Sequence, residues 1–332
     1  MNLYKTSRLS ILKRIKALPK LFGENSVTTS FTNRQGDRTY LIFPCGMSRS
    51  GTTLLTTVLD SHSEIGLGYE LIPPPLLNIA SLLKFVERCV SQGIKSVDEV
   101  GQQLKSQGQK NERLFLVHCH RAGLSVSQTK MVLADLCKNG VRIVESLTDR
   151  LLVAERIAKA KQRQQNTRFY GFKLNSPAFN EAYKLFPQSY FFYIVRDPRD
   201  VVVSHRKRGF VRSTEQICKA WNNYLEKFES FYDDNSEIAL IVRYEDLVMQ
   251  PNDTLSRIFQ VLPVDLEENV FRFYESVASV HGSHHPNAQA LKQNFFTSSI
   301  GCWHSELEKG EWKKIQMLCR AGMKRQCYKL ED

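Results

Sequence analysis

The residues best placed to do chemistry fall in a few short stretches. Residues 46 to 53 read GMSRSGTT, the glycine spacing of a phosphate-binding loop. In the nucleoside-triphosphate version the second glycine is followed by Lys and then Ser or Thr. Here those positions hold Thr52 and Thr53, and the cation has moved inside the loop, to Arg49. Such a loop offers backbone amides and a helix N-terminus to an anion. Around Ser50 and Gly51, Thr52 and Thr53 add hydroxyl donors, and Arg49 adds a planar fork that matches a phosphate. A second stretch, VRDPRDVVVSHRKRG, puts Arg196 where an apolar run stops and Ser204 eight residues on. A helix between them can carry Ser204 back toward a phosphate held by Arg196. A further cation, Lys173, lies near the end of RFYGFKL. In LVHCHR, His118 and His120 could accept a proton, but as a metal pair they lack a third ligand at suitable spacing.

These groups need a frame. TYLIFPC (39–45) is a short β-prone apolar run, consistent with a buried strand, and from Thr52 the residues Leu54, Leu55, Val58 and Leu59 repeat on one helical face that ends near Ser61. RFYGFKL (168–174), YFFYIV (190–195) and IALIVRYEDL (238–247) read as further strands. Pro198 breaks the YFFYIV run and opens a helix, and residues 213–234 form another. PPPLLNIASLLKFVERCV (73–90) starts a helix after its prolines, 95–138 is largely helical, and 142–165 has strong helical spacing with a basic end suited to the helix dipole. The tail from Asn294 is a loop leading into a final helix. Continuous apolar strands separated by helices predict an α/β fold of three layers, a mostly parallel central sheet flanked by helices. Ligands in such sheets sit at the carboxyl ends of the strands. Arg49, Lys173 and Arg196 should therefore converge on one rim.

Bulk properties narrow the partners. The 332 residues, 42% hydrophobic and 24% charged, suit a globular enzyme. Half of the net charge of +12 sits in residues 1–23, which hold six Lys or Arg and no acid. The rest of the chain is only modestly basic, without the aromatic-laced basic stripe of a nucleic-acid binder, so no nucleic-acid partner is expected. Leu3, Ile11, Leu12, Ile15, Leu18 and Leu21 alternate with the lysines of the arm, which can lie on an anionic membrane or stay a solvated or packed tail. The arm lacks the apolar core of a signal peptide, and no window approaches a membrane span. Eight cysteines without a C-x-x-C pair argue against zinc and against a dense disulfide framework. A bridge within Cys302, Cys319 and Cys327 stays open. The expectation is a cytoplasmic protein with residues 1–38 as basic arm and linker, peripheral membrane contact through residues 1–23, and one domain over residues 39–332.

Taken together, SRSGTTLL after a strand and YIVRDPRDVVVSHRKRG resemble the 5′-phosphosulfate loop and the 3′-phosphate motif of the sulfotransferase family. IVRYEDLV (241–248) and FFTSSIGCW (295–303) are similar to segments that recur there, so the resemblance runs from residue 39 to about 315. It implies a P-loop-like sulfotransferase fold. It also implies transfer of a sulfuryl group from 3′-phosphoadenosine 5′-phosphosulfate (PAPS) to an acceptor, here a carbohydrate, peptide tyrosine or lipid-linked hydroxyl. On this reading Arg196 and Ser204 take the 3′-phosphate, and Arg49 and Lys173 stabilise charge on the transferred group. Thr297, Ser298, Ser299 and Gly301 resemble the loop that closes over the nucleotide, although Cys302 stands where many members have a basic residue. Glu70 lies about where the tyrosylprotein and carbohydrate-type branch has its catalytic Glu. His118 and His120 remain rivals, because other branches use a His. Lys173 sits in KLNSP, with proline two positions later than the K-x-P of that branch. A sulfuryl group carries less charge than a γ-phosphoryl, so no metal is required. The alternatives are a kinase-like enzyme dependent on a nucleoside triphosphate, which needs a metal apparatus, and an inactive nucleotide-binding module. Arg243 is expected in a structural ion pair.

Overall fold

Every residue of Leu41 to Cys45 is buried, and so are all of Phe191 to Val195. Two runs this apolar are stable only with both faces covered, the condition for a parallel sheet. The computed structural model describes residues 39–106, 109–275 and 291–332. The basic arm and its linker, residues 1–38, lie outside these. In chain order the elements are β1 (Tyr40–Cys45), α1 (Thr52–Asp60), β2 (Ile65–Gly68), β3 (Leu77–Asn78), α2 (Ile79–Ser91), α3 (Val97–Ser106) and α4 (Lys110–Arg121). There follow α5 (Val126–Lys138), β4 (Ile143–Val144), α6 (Leu147–Gln165), β5 (Phe169–Phe172), α7 (Phe179–Leu185), β6 (Ser189–Val195) and α8 (Pro198–Lys207). The last are α9 (Thr214–Asp234), β7 (Ala239–Arg243), α10 (Tyr244–Met249), α11 (Pro251–Val261), α12 (Trp303–Glu306) and α13 (Lys309–Arg325).

The five strands of the main sheet run in the order β2-β5-β1-β6-β7, and every pairing between them is parallel. Alternation along the strands splits the core into two layers. Phe43, Phe191 and Tyr193 pack with Phe179, Phe228 and Phe231 on one face. Ile42, Phe192 and Ile194 pack with Leu55, Leu255 and Ile258 on the other. The first layer is dense with rings: Tyr193 stacks on Phe228 at 4.7 Å, and Phe191 meets Phe231 edge-on at 4.7 Å. Gly171 lets β5 approach β1, since a Cβ there would lie 1.9 Å from the Ile42 carbonyl oxygen.

The sheet differs from the sequence expectation in three places. IGLG forms the edge strand β2, although two glycines in four residues carry little β signal. A Cβ on Gly66 would collide with Gln165 and Thr167, so the glycine reflects close packing of α6. The run 238–247 is strand only to Arg243, and Tyr244 opens α10 with Glu245 and Asp246 in its first turn, where acids favour a helix start. The prolines at 73–75 do not open a helix. Leu77 and Asn78 instead pair antiparallel with Ile143 and Val144, and Asn78 then caps α2 through Ser81 N–H. All eight cysteines are free, so Cys302, Cys319 and Cys327 form no bridge. Among the described residues no helix is long and apolar enough to cross a membrane.

Candidate functional site

The strand order sets the rim. β2, β5, β1 and β6 lie side by side, so their carboxyl ends present Glu70, Lys173, the loop of residues 46–53 and Arg196 in sequence. Gly46 and Gly51 have φ of 147° and 98°, and a Cβ on either would lie 2.5 Å from Ile194 O or Tyr244 Cδ2. Only glycine fits both demands. Arg49 holds a left-handed φ of 73°, a conformation that costs a non-glycine residue energy and marks sites where strain serves function. Gly51 caps α1 without a side-chain hydrogen bond, so the first-turn amides, which have no intrahelical acceptor, face the loop. Thr52 and Thr53 are buried at its base.

Arg49 Nε donates to Ser204 Oγ at 3.0 Å, so α8 does return Ser204 to the rim, where it meets the loop cation. Beside it, Ser48 Oγ and His205 Nε2 are 3.2 Å apart. Burial, then the neighbouring Arg208 and Arg196, pull Arg49 below the usual guanidinium value. Such crowding of cations favours an anion between them. Arg196 donates to Arg49 O at 3.2 Å and to Ser299 O, and its guanidinium lies 4.7 Å over the Tyr244 ring. Its Nε is buried with no acceptor among the described residues. That donor and the strained loop fit a phosphorylated ligand.

On the Glu70 side, Lys173 Nζ sits between Glu70 Oε1 at 3.0 Å and Thr53 Oγ1 at 3.2 Å. Burial lowers its pKa, and Glu70 opposes that shift. Arg121 approaches the other carboxylate oxygen of Glu70 at 3.6 Å. The loop that follows Glu70 is fixed by Arg150 Nε on Pro73 O at 2.7 Å and by Asn111 Nδ2 on Pro75 O at 3.2 Å.

The tail residues join the same rim. Ser299 accepts from Arg196 and its side chain bonds the Tyr244 phenol. Ser298 O accepts from Cys302 Sγ at 3.0 Å. The Gly301 amide is taken by Asp200 Oδ2 at 2.8 Å, as the Trp303 amide is by Asp200 Oδ1 at 3.0 Å. His118 lies within α4, buried, and its Nδ1 has no partner among the described residues. Burial, followed by Arg121, lowers its pKa to about 4, so at neutral pH it is an uncharged packed residue. His120 is exposed on the same helix. Among the described residues no three His, Cys, Asp or Glu side chains converge as a metal site. Arg243 pairs with Asp246 at 3.5 Å and stacks on Tyr328, a structural role.

Four participants were missed in the sequence: Arg121, His205, Tyr244 and Asp200. All four lie inside quoted stretches, Arg121 at the end of LVHCHR, but Arg121 has no local partner there and meets Glu70 only across 51 residues of chain.

The family model described as the sulfotransferase family matches residues 42–268. A protein-tyrosine sulfotransferase of Drosophila melanogaster is 25% identical over 249 residues, covering 73% of this chain and 42% of the relative. The alignment thus spans less than half of that relative. Among solved structures, the sulfotransferase domain of the Synechococcus PCC 7002 olefin synthase superposes with a TM-score of 0.60 at 18% identity, covering 91% of this chain and 98% of that one. A sulfotransferase domain from the curacin biosynthetic pathway gives 0.52 at 21% identity, over 88% and 99%. These likenesses carry the fold, and the family match spans more than half of the chain around the rim just described. The chain belongs to the sulfotransferase family.

Proposed function

We propose that this protein transfers the sulfuryl group of PAPS to an acceptor hydroxyl, with Glu70 as general base. One observation carries the reading: Lys173 Nζ lies within hydrogen-bond reach of both Glu70 and Thr53, so the base and the phosphate loop share one cation. The acceptor oxygen attacks sulfur while the bond from sulfur to the 5′-phosphate oxygen breaks. 3′,5′-ADP leaves with that electron pair, and the acceptor proton passes to a Glu70 carboxylate oxygen. Arg49, Lys173 and the first-turn amides of α1 stabilise charge on the group in flight. In-line geometry supplies much of the remaining acceleration. Ser204 and Arg196, with Ser298 and Ser299, read the adenosine 3′-phosphate, and an oxygen of that phosphate gives the buried Arg196 Nε its acceptor. Arg121 and Lys173 hold the Glu70 carboxylate in place.

The acceptor is a hydroxyl compound of carbohydrate, peptide or lipid-linked type. The tyrosine acceptor named for the Drosophila relative makes a peptide one candidate to screen first. Thermal unfolding with nucleotides tests the donor. 3′,5′-ADP should raise the Tm and Mg-ATP should not. Stabilisation by Mg-ATP alone would replace this reading with a nucleoside-triphosphate enzyme.

A further inference from the structure

Residues 47–50 of the phosphate loop close a β-turn, with Ser50 N–H donating to Met47 O at 3.2 Å. Arg49, the third residue of the turn, has φ of 73°, whereas Ser48, the second, is not among the residues with positive φ. That pattern is a type II turn, whose third position calls for glycine or asparagine. Type I, the commoner form, differs by a flip of the central peptide and would leave Arg49 at a negative φ. A group outside the turn must hold the Ser48–Arg49 peptide flipped, against the preference of an arginine.

The group that flips is the Ser48 carbonyl, and His205 reaches it. Its Nε2 lies 3.3 Å from Ser48 O and 3.2 Å from Ser48 Oγ. A carbonyl oxygen can only accept, so Nε2 carries the ring proton. Nδ1, which has no partner among the described residues, is then the unprotonated nitrogen. Burial holds the imidazole below its usual range; the Ser48 bond opposes that shift, and Arg49 and Arg212 add to it. The ring is also fixed in place. Phe210 covers it at 5.4 Å, and the Arg208 and Phe210 amides both bond His205 O, at 3.2 and 3.3 Å. The preceding residue of α8, Ser204, takes the Arg49 side chain at 3.0 Å. One helix thus grips both the backbone and the side chain of Arg49.

We infer that His205 is a positioning residue of the phosphate loop: its Nε2–H locks the Ser48–Arg49 peptide in the flipped orientation and so holds Arg49 left-handed. A trans peptide points its N–H opposite to its C=O. The same bond therefore turns the Arg49 amide away from α8, and a type I peptide would turn it back. The consequence for the donor rests on the function proposed above, in which this loop takes the 5′-phosphosulfate. Losing the bond then withdraws one amide from the loop and misplaces the Arg49 fork.

Crystal structures of His205→Phe and His205→Gln test the lock without any ligand. The first variant keeps a ring and loses the donor; the second returns an N–H near the position of Nε2. Arg49 should move to a negative φ in the first and keep its φ of 73° in the second. Titration calorimetry with 3′,5′-ADP reads the consequence. Affinity should fall at least about fivefold in His205→Phe and return to within about twofold of wild type in His205→Gln. In an Arg49→Gly background the left-handed region costs nothing, so adding His205→Phe should change affinity by less than about twofold. An Arg49 that stays left-handed in His205→Phe would overturn the inference. So would equal losses in the two His205 variants, or a full effect of His205→Phe beside Arg49→Gly, since either makes His205 a packing residue. A wild type that binds no 3′,5′-ADP would overturn the donor reading instead, and the two crystal structures would still decide the lock.

Discussion

Around Gly51 the chain has no room: an added Cβ would lie 2.5 Å from Tyr244, and the threonines behind it are buried. Around Glu70, nineteen residues later, the side chain is 42% exposed and is held by Lys173 and Arg121 from distant parts of the chain. The first region is fixed by backbone conformation and packing within one contiguous motif. The second is fixed by charge across long loops. A rigid, nearly closed cradle suits a ligand part that is always the same. An open, charge-held carboxylate suits a partner that must arrive and leave with a proton. If the two regions divide the work in this way, substitutions in them should separate stability and donor binding from turnover.

The largest effect is expected on the Glu70 side. Glu70→Gln should lower kcat by roughly 10² to 10⁴, the range for a lost general base, with 3′,5′-ADP binding intact. Steady-state rates beside nucleotide titration check this, and an unimpaired variant would remove Glu70 from its role. Next comes the cradle. Gly51→Ala meets both a left-handed φ and the Tyr244 ring, and should cost about 2–4 kcal/mol of stability. It should also weaken 3′,5′-ADP binding, because Tyr244 carries Arg196. Denaturant midpoints and titration calorimetry report the two losses together.

A third difference is read through pH. His118 is buried with its pKa lowered to about 4, against an unfolded value near 6.5. The unfolded chain therefore binds the extra proton first, and stability falls as pH drops from about 6.5 toward 4. The loss should be on the order of 2–3 kcal/mol, and His118→Gln should flatten that slope in denaturation series. The smallest effect is expected from Arg121→Ala. Its contact with Glu70 is partly exposed at 3.6 Å, and such pairs contribute about 0.2–1 kcal/mol, a few-fold in rate. A loss as large as that of Glu70→Gln would mean the open side is as tightly built as the cradle.

The same contrast explains what the sequence revealed. The strand, glycine loop and helix around residues 40–60 were legible because each signal is local: an apolar run, two glycines, a 3.6-residue repeat. YFFYIV ending at Arg196, and Ser204 one helix later, were legible for the same reason. β2 was not, since Gly66 and Gly68 lower β propensity and only the packing of α6 and Leu71 against them explains their presence. Arg121 was not, since a terminal arginine on an amphipathic helix is ordinary until Glu70 is seen opposite. The turn from strand to helix at Tyr244 was hidden by the apolar run before it. Asp200 was hidden for the opposite reason: it lies in a legible motif, but its partners, the Gly301 and Trp303 amides, are about a hundred residues away.

Transfer of labelled sulfate from PAPS into pooled saccharide, peptide and lipid acceptors, comparing wild type with Glu70→Gln, tests the central claim most directly. Label should move into an acceptor with wild type and fall at least about 100-fold with the variant, while both bind 3′,5′-ADP alike. Transfer at the wild-type rate by Glu70→Gln, or none by a wild type that binds the nucleotide, would contradict the account.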